Sequence, residues 1–442
     1  MSFPPPADTV KIDEISVSPS LLPLLIAFYL MKLRRKQAPV SALFLWQAAV
    51  REAPVSSEES HYDVIVIGVG SMGAATCHFL ASRGHRVLGL EQFDITHDQG
   101  SHAGQSRLIR KAYFEHPDYV PLLERSYQNW RSLEKETGAQ VYFPTGLVYV
   151  GHPKNALMTG VRLSSDQFKV PVETWSAQKL ASTYPQFVPP AGADVLMEPD
   201  AGFLTPERAI LLYVRQAMRA GARIQTKEKV LQWKQDGTGV QVTTNRGTYS
   251  AQKLVITAGP WAGQISASLR PKLTVTKQVV VWTKPRKWTA FELGKFPCWA
   301  YAPEGKPGLY YGFPIVPVEQ FGGPLGLKLG YHVPGIISDP DAVNRDRDFN
   351  EEKLLTEMLR TFMPDACDEI HVQKSCLYTN TPDEHFVLDL LPDTGGRVAI
   401  AAGFSGHGFK FASAVGEIMA DLAMNGKTSL PIDFLRFKRF AQ

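Results

Sequence analysis

Tyr62-Asp-Val-Ile-Val-Ile67 runs directly into Gly68-Val-Gly70-Ser-Met-Gly73, and the reading of this stretch decides the fold. Val64 to Ile67 is a short, largely β-branched run of the kind found in strands buried on both faces of a parallel sheet. The glycines form G-x-G-x-x-G. The first permits a tight turn, the second lets backbone approach a pyrophosphate, and the third lets helix and strand pack closely. Ser71 to Ala81 reads as the helix, ending near Gly84, and Arg86 to Leu90 as a second strand. Glu91 closes that strand 18 residues beyond Gly73, where a carboxylate can accept hydrogen bonds from ribose hydroxyls. An adenine dinucleotide is implied, and NAD and FAD are both compatible with these residues.

Two later segments return to the same theme. Lys253 to Ala258 reads as a strand before Gly259, preceded by the alternating Gly239-Val-Gln-Val-Thr-Thr244 and a turn at Asn245-Arg-Gly247. Val398 to Ala402 reads as another, followed by Gly403-Phe-Ser-Gly-His-Gly408 and a helix from Phe411 to Met424. Flavoproteins of the FAD/NAD-binding type return to the dinucleotide in this way. Three separated visits predict an α/β protein in which a Rossmann-like FAD/NAD(P)-binding domain is interleaved with a second domain.

Composition sets the bounds. A chain of 442 residues has room for two or three domains at roughly 150 residues each. With 44% hydrophobic and 20% charged residues, disorder of the whole is excluded. Lys plus Arg number 47 against 43 Asp plus Glu, spread without a dense basic stripe, so nucleic acid is not an expected partner. Cys77, Cys298, Cys367 and Cys376 form no C-x-x-C pair, and four in this length are not a disulfide framework. A reducing, cytoplasmic compartment is the expectation. Residues 1–57 carry none of these motifs. Their uncharged run from Ile15 to Met31 contains Pro19 and Pro23, is short for a membrane span, and has its basic residues after it, at Lys32 to Lys36, reversed from a secretory signal. The segment reads as a mobile or mis-started extension, with a targeting role as the alternative, and a membrane is not an expected partner.

Longer motifs are more specific. Gly100-Ser-His-Ala-Gly-Gln-Ser-Arg-Leu-Ile-Arg110, Tyr310-Tyr-Gly-Phe-Pro314, Leu327-Lys-Leu-Gly-Tyr-His332, Cys376-Leu-Tyr-Thr-Asn-Thr-Pro-Asp-Glu-His-Phe386 and Gly403-Phe-Ser-Gly-His-Gly-Phe-Lys410 occur in order. Through them the chain, over about residues 60 to 440, resembles the monomeric sarcosine oxidase family, which includes the N-methyltryptophan oxidases. The resemblance implies an FAD-dependent oxidase of secondary, N-methyl amino acids, and a monomer. Its N-methyl C–N bond would be oxidised to an imine that hydrolyses to formaldehyde and the primary amino acid, with O2 reduced to hydrogen peroxide. It also implies FAD-binding segments at about 58–140, 195–270 and 370–438, with a substrate domain on a mixed sheet at 141–194 and 271–369.

Site roles follow from the same resemblance. Gly68, Gly70, Gly73, Glu91, Ser101, His102, Gly406 and Gly408 would contact FAD, and Cys376 would bond it covalently. Arg110 and Lys410 would hold the substrate carboxylate, a task suited to a planar fork and a point charge. Tyr378 would share that pocket with Tyr311 and His332, while Lys328 and Arg107 would place positive charge beside the flavin, Lys328 serving oxygen activation. Without the resemblance, Cys376 reads as an inert thiol, Lys328 as a solvent-facing strand lysine and His332 as a satisfied core histidine, its role as a base left open. The chain departs from the family at Ala103, where a second histidine often follows the one at His102. Alternatives within the class are N-methyltryptophan or an imino acid such as pipecolate or proline. The rivals outside it are a flavin dehydrogenase passing electrons to a carrier and a flavin-binding protein without turnover.

Overall fold

The computed structural model describes residues 61–440, apart from positions 236 and 334. The extension of residues 1–57 lies outside them. The strand His61–Ile67 forms as the apolar run requires. Val64, Ile65 and Val66 are fully buried, and the strand pairs in parallel with Val87–Leu90 on one side and Thr248–Ile256 on the other. Burying each such side chain stabilises by about 1.5–3 kcal/mol.

Eight strands make this sheet among the described residues. Val230–Gln235, Val240–Thr244, Thr248–Ile256, His61–Ile67, Val87–Leu90 and Arg223–Gln225 follow in that order, while Val398–Ala402 branches from Thr248–Ile256 and carries Val387–Leu390 on its other edge. Thr248–Ile256 begins five residues before the expected Lys253. Its first half pairs antiparallel with Val240–Thr244 around the Asn245–Gly247 turn, and its last three residues pair in parallel with Val398–Ile400. One long strand therefore serves both a hairpin and the dinucleotide sheet.

The glycine turn works by close approach. Gly68 has φ +88°, and its N–H donates to Leu90 O at 2.8 Å. A Cβ on Gly73 would lie 1.9 Å from Gly68 O, so the helix Ser71–Ser82 can leave the sheet only with glycine there. On the helix's other side, a Cβ on Gly416 of the helix Ala412–Asn425 would lie 2.4 Å from Ala75 Cβ.

A second, nine-stranded sheet among the described residues is mixed. Thr274–Lys284, Leu327–His332, Leu309–Gly312, Cys298–Ala302, Leu147–Gly151 and Asp194–Glu198 are neighbours in that order, and Glu369–Asn380 also pairs with Thr274–Lys284. Alternation sorts its faces: Leu327, Leu329 and Tyr310 enter the core, so Lys328 and Tyr311 point the other way. Among the described residues no helix is long and apolar enough to cross a membrane. Gly73→Ala should destabilise the fold by about 1–3 kcal/mol, seen as a lower thermal midpoint; an unchanged midpoint would contradict the close approach.

Candidate active site

A cavity of about 340 Å³ opens where the parallel strands of the first sheet end, bounded by Gly68, Glu91, Thr257 and Gly403, and reaches the second sheet at Tyr311 and Cys376. Crevices at the carboxyl ends of such strands are where this architecture binds ligands. Gly70 caps the helix Ser71–Ser82 with no side-chain hydrogen bond, and its first turn holds no acid. These helix-start amides face the cavity through Gly70, Ser71 and Met72. An uncapped, acid-free helix N-terminus suits a pyrophosphate. Glu91 is 4% exposed, and its oxygens accept from Val69 N at 2.9 Å and Phe93 N at 3.0 Å. Burial raises its pKa against these N–H donors, and the carboxyl still borders the cavity. The glycines of the last turn press equally close: a Cβ on Gly406, at φ +78°, would lie 2.2 Å from the Tyr378 ring. Gly408 lines the same wall. The residues present therefore fit FAD, with Gly73 set behind the turn rather than on the cavity.

The segment after Gly100 forms the floor. Ser101 and His102 line it, and His102 Nε2 is buried without a hydrogen-bond partner. Burial lowers the His102 pKa against the pull of Glu207, which keeps the ring neutral. Glu207, in the first turn of the helix Pro206–Arg219, accepts from Gly104 N at 2.7 Å and Gln105 N at 3.1 Å. Burial opposes its charge, but those amides hold its carboxyl below the usual range. Gln105, at φ +72°, accepts from Trp282 Nε1 at 2.9 Å and donates to Gly322 O. Arg107 lines the cavity and donates to Ser101 O at 3.0 Å and Ala103 O at 2.6 Å.

Lys328 does not line the cavity. Its ammonium lies behind the floor, 2% exposed, donating to Gly104 O, to Ser106 O at 2.6 Å and to Ser106 Oγ at 3.3 Å. Rings of Phe313 and Trp282 lie 4.6 and 5.6 Å away. Burial and then Arg107 push its pKa well down. Three oxygen acceptors nevertheless match the three N–H groups of an ammonium, which a neutral amine lacks. The solvent-facing alternative is excluded.

Arg110 and Lys410 lie close enough for the charge of one to act on the other. Both are buried, and both line the cavity. Arg110 donates from Nη2 to both oxygens of Glu115 at 2.7 Å and from Nη1 to Ala112 O at 3.3 Å, and its guanidinium lies over the rings of Tyr113 and Phe114, at 4.2 and 4.6 Å. Lys410 donates to His407 O at 2.7 Å. Burial and then the Arg110 charge lower its pKa to about 7. Burial would raise the Glu115 pKa, yet Arg110, His407 and Lys410 together pull it to about 2. His407 Nε2 faces Glu384 O at 3.0 Å, so that nitrogen carries the proton and Nδ1 accepts from Tyr113 OH at 2.5 Å. Burial holds the His407 pKa near about 3, and this ring stays neutral.

His332, Tyr311, Tyr378 and Cys376 complete the wall. His332 Nδ1 lies 3.1 Å from Tyr378 OH, and burial lowers its pKa to about 4. It is a neutral, weakly basic ring. Burial raises Tyr311 to about 12. The Cys376 thiol is 4% exposed; burial raises its pKa, and Arg107, Lys328 and Arg345 oppose that rise.

All the expected site residues except Gly73 and Lys328 thus border one cavity. Sequence reasoning missed Glu115, Glu207, Gln105, Tyr113 and His407. It also missed Glu198, which fixes the chain beyond Arg110 by accepting from Lys111 N at 2.6 Å and Tyr149 OH at 2.7 Å.

A family model described as FAD dependent oxidoreductase matches residues 63–422. The chain belongs to the FAD-dependent oxidoreductases. Within them it groups with the monomeric sarcosine oxidases and N-methyltryptophan oxidases. It is 38% identical to a monomeric sarcosine oxidase of Streptomyces avermitilis, over 86% of this chain and 98% of that one. It is 32% identical to an N-methyl-L-tryptophan oxidase of Yersinia pestis, over 86% and 99%. Among solved structures it is similar to NikD, an unusual amino acid oxidase essential for nikkomycin biosynthesis, with TM-score 0.75 and 26% identity over 85% of this chain and 97% of that one.

Lys410 offers a pH test. A lysine whose folded pKa is depressed is cationic below that value and neutral above it. Affinity for a simple carboxylate such as acetate should be full below pH about 7 and fall as pH rises through it. Lys410→Met should lower the affinity and flatten this dependence in inhibition assays; an unaltered profile would contradict the assignment.

Proposed function

We propose that this FAD-dependent oxidoreductase is an oxidase of secondary, N-methyl amino acids, acting on sarcosine or a close relative. The observation that carries the reading is the buried pair Arg110 and Lys410, sharing one cavity with Tyr311, His332 and Cys376. Two cations kept out of water are costly unless anions join them. Glu115 answers Arg110, among the described residues Lys410 hydrogen-bonds only the His407 carbonyl, and a substrate carboxylate supplies the second anion.

Gly68, Gly70, Glu91, Ser101, His102, Gly406 and Gly408 would hold FAD, with Gly73 shaping the turn. Bound FAD supplies the two-electron acceptor that takes hydrogen from the substrate's N-methyl carbon and delivers it to O2 as hydrogen peroxide. The chain's own residues do the positioning. Arg110 leaves or shares Glu115 as it forks onto the carboxylate, and Lys410 closes the other side. That anchor directs the methylamine toward Tyr311, His332 and Tyr378. A secondary ammonium entering beside Arg110, Lys410 and Arg107 is disfavoured by like charge, which favours its neutral form. Neutral His332 can accept a hydrogen bond from the amine, and its depressed pKa argues for orientation rather than proton storage.

Arg107 on the cavity wall and Lys328 behind the floor keep positive potential where charge would develop when oxygen accepts electrons. Cys376 is proposed as the residue bonded to FAD. Cys77, Cys298 and Cys367 are free thiols, in keeping with the proposed cytoplasmic setting, and the chain is proposed to act as a monomer. A second reading, toward N-methyltryptophan or a cyclic imino acid, draws support from Phe114, Leu157 and Leu309, apolar residues that line the cavity.

Peroxide release measured across sarcosine, N-methyltryptophan, pipecolate and proline tests class and substrate together. Sarcosine should give the largest kcat/KM; no peroxide with any of the four would reject an oxidase. Lys328→Met should preserve anaerobic bleaching of the flavin by substrate and slow its reoxidation in air by about 10²–10³-fold. Stopped-flow oxygen kinetics equal to wild type would remove its role.

A further inference from the structure

Residues 338–348 leave the second sheet after the strand Ile336–Ile337 and are clasped twice. Asp341 accepts from Trp261 Nε1 at 2.8 Å and Gln264 Nε2 at 3.0 Å, residues of the short helical segments Gly259–Trp261 and Ala262–Ile265 that follow Thr248–Ile256. Four residues on, Arg345 donates to Gln99 O at 2.8 Å, Asp98 O at 3.4 Å and Ser375 O at 3.1 Å. One guanidinium therefore joins the loop leading into Gly100 and Ser101 to the residue immediately before Cys376. These segments come from different parts of the chain and lead into residues that line the same cavity. A planar fork can hold carbonyls on two segments at fixed separation, which a lysine's single flexible head does less well.

We propose that Arg345 is a positioning residue for covalent flavin attachment, holding the Asp98–Gln99 loop against Ser375 so that the Cys376 sulfur meets the cofactor ring at a set distance. The proposal rests on the reading of Cys376 as the attachment residue. Attachment forms one S–C bond between Cys376 and a methyl carbon of the ring system and breaks one S–H and one C–H bond. Two electrons and two protons remain on the ring, and O2 removes them as hydrogen peroxide. The Arg345 charge also acts on Cys376 in the same sense as Arg107 and Lys328, favouring the thiolate against burial, the form that attacks carbon.

The test follows flavin fluorescence of the denatured full-length protein with time of incubation with FAD in air, alongside total FAD retained by the native protein. Wild type should become covalently labelled. Arg345→Met should retain FAD but label about 10- to 100-fold more slowly, and Arg345→Lys, which keeps the charge and loses the fork, should fall between. A residue that merely supported the fold would lose FAD retention and thermal stability together. Should Arg345→Met not fold, Arg345→Lys labelling at the wild-type rate overturns the proposal. Wild type that releases all its flavin on denaturation overturns the Cys376 reading and the proposal with it. A labelled wild type whose Arg345 variants label equally fast overturns the proposal alone.

Discussion

The site depends on holding Arg110 and Lys410 together out of water. Each buried ion costs several kcal/mol, and the two repel. The protein offsets this with the Glu115 carboxylate on Arg110, two aromatic faces against the guanidinium, and the His407 carbonyl on Lys410. His407 is in turn fixed by Tyr113 and Glu384. The anchor is thus built before substrate arrives, and the depressed pKa of Lys410 is the residual cost of building it. On the proposed function, an arriving carboxylate would relieve that cost, and substrate and anchor would stabilise each other.

The same logic recurs at the second pair of cations. Arg107 and Lys328 are tied down by carbonyl oxygens of a loop whose amides are gripped by Glu207. The loop reverses at Gln105, whose side chain links the Trp282 indole to the Gly322 carbonyl. Positive charge is supplied by both pairs, and the neutral ring of His332 lines the same cavity. Such an arrangement favours anions and neutral amines over cations throughout the cavity.

Much of this was legible in sequence because it depends on local geometry. The β-branched run before Gly68 is a buried strand, and G-x-G-x-x-G makes the turn for the steric reason expected. Strand alternation set Lys328 opposite Leu327 and Leu329. The carboxylate partners were not legible. A glutamate five residues after an arginine, as Glu115 follows Arg110, is in most proteins a solvated pair; its burial comes from the helix Ala156–Phe168, where a side chain on Gly160 would collide with Phe114. Glu207 looks like an ordinary acid at a helix start until the Gly104–Gln105 loop folds onto it. The early start of Thr248–Ile256 was hidden because hairpin and parallel pairing share one strand.

The most direct measurement is a crystal structure of the FAD-bound protein with a non-oxidisable carboxylate analogue of the substrate. The account predicts the ligand carboxylate on Arg110 and Lys410, with the amine end toward Tyr311 and His332. A ligand seated elsewhere, with the Arg110–Glu115 pair undisturbed, would contradict it.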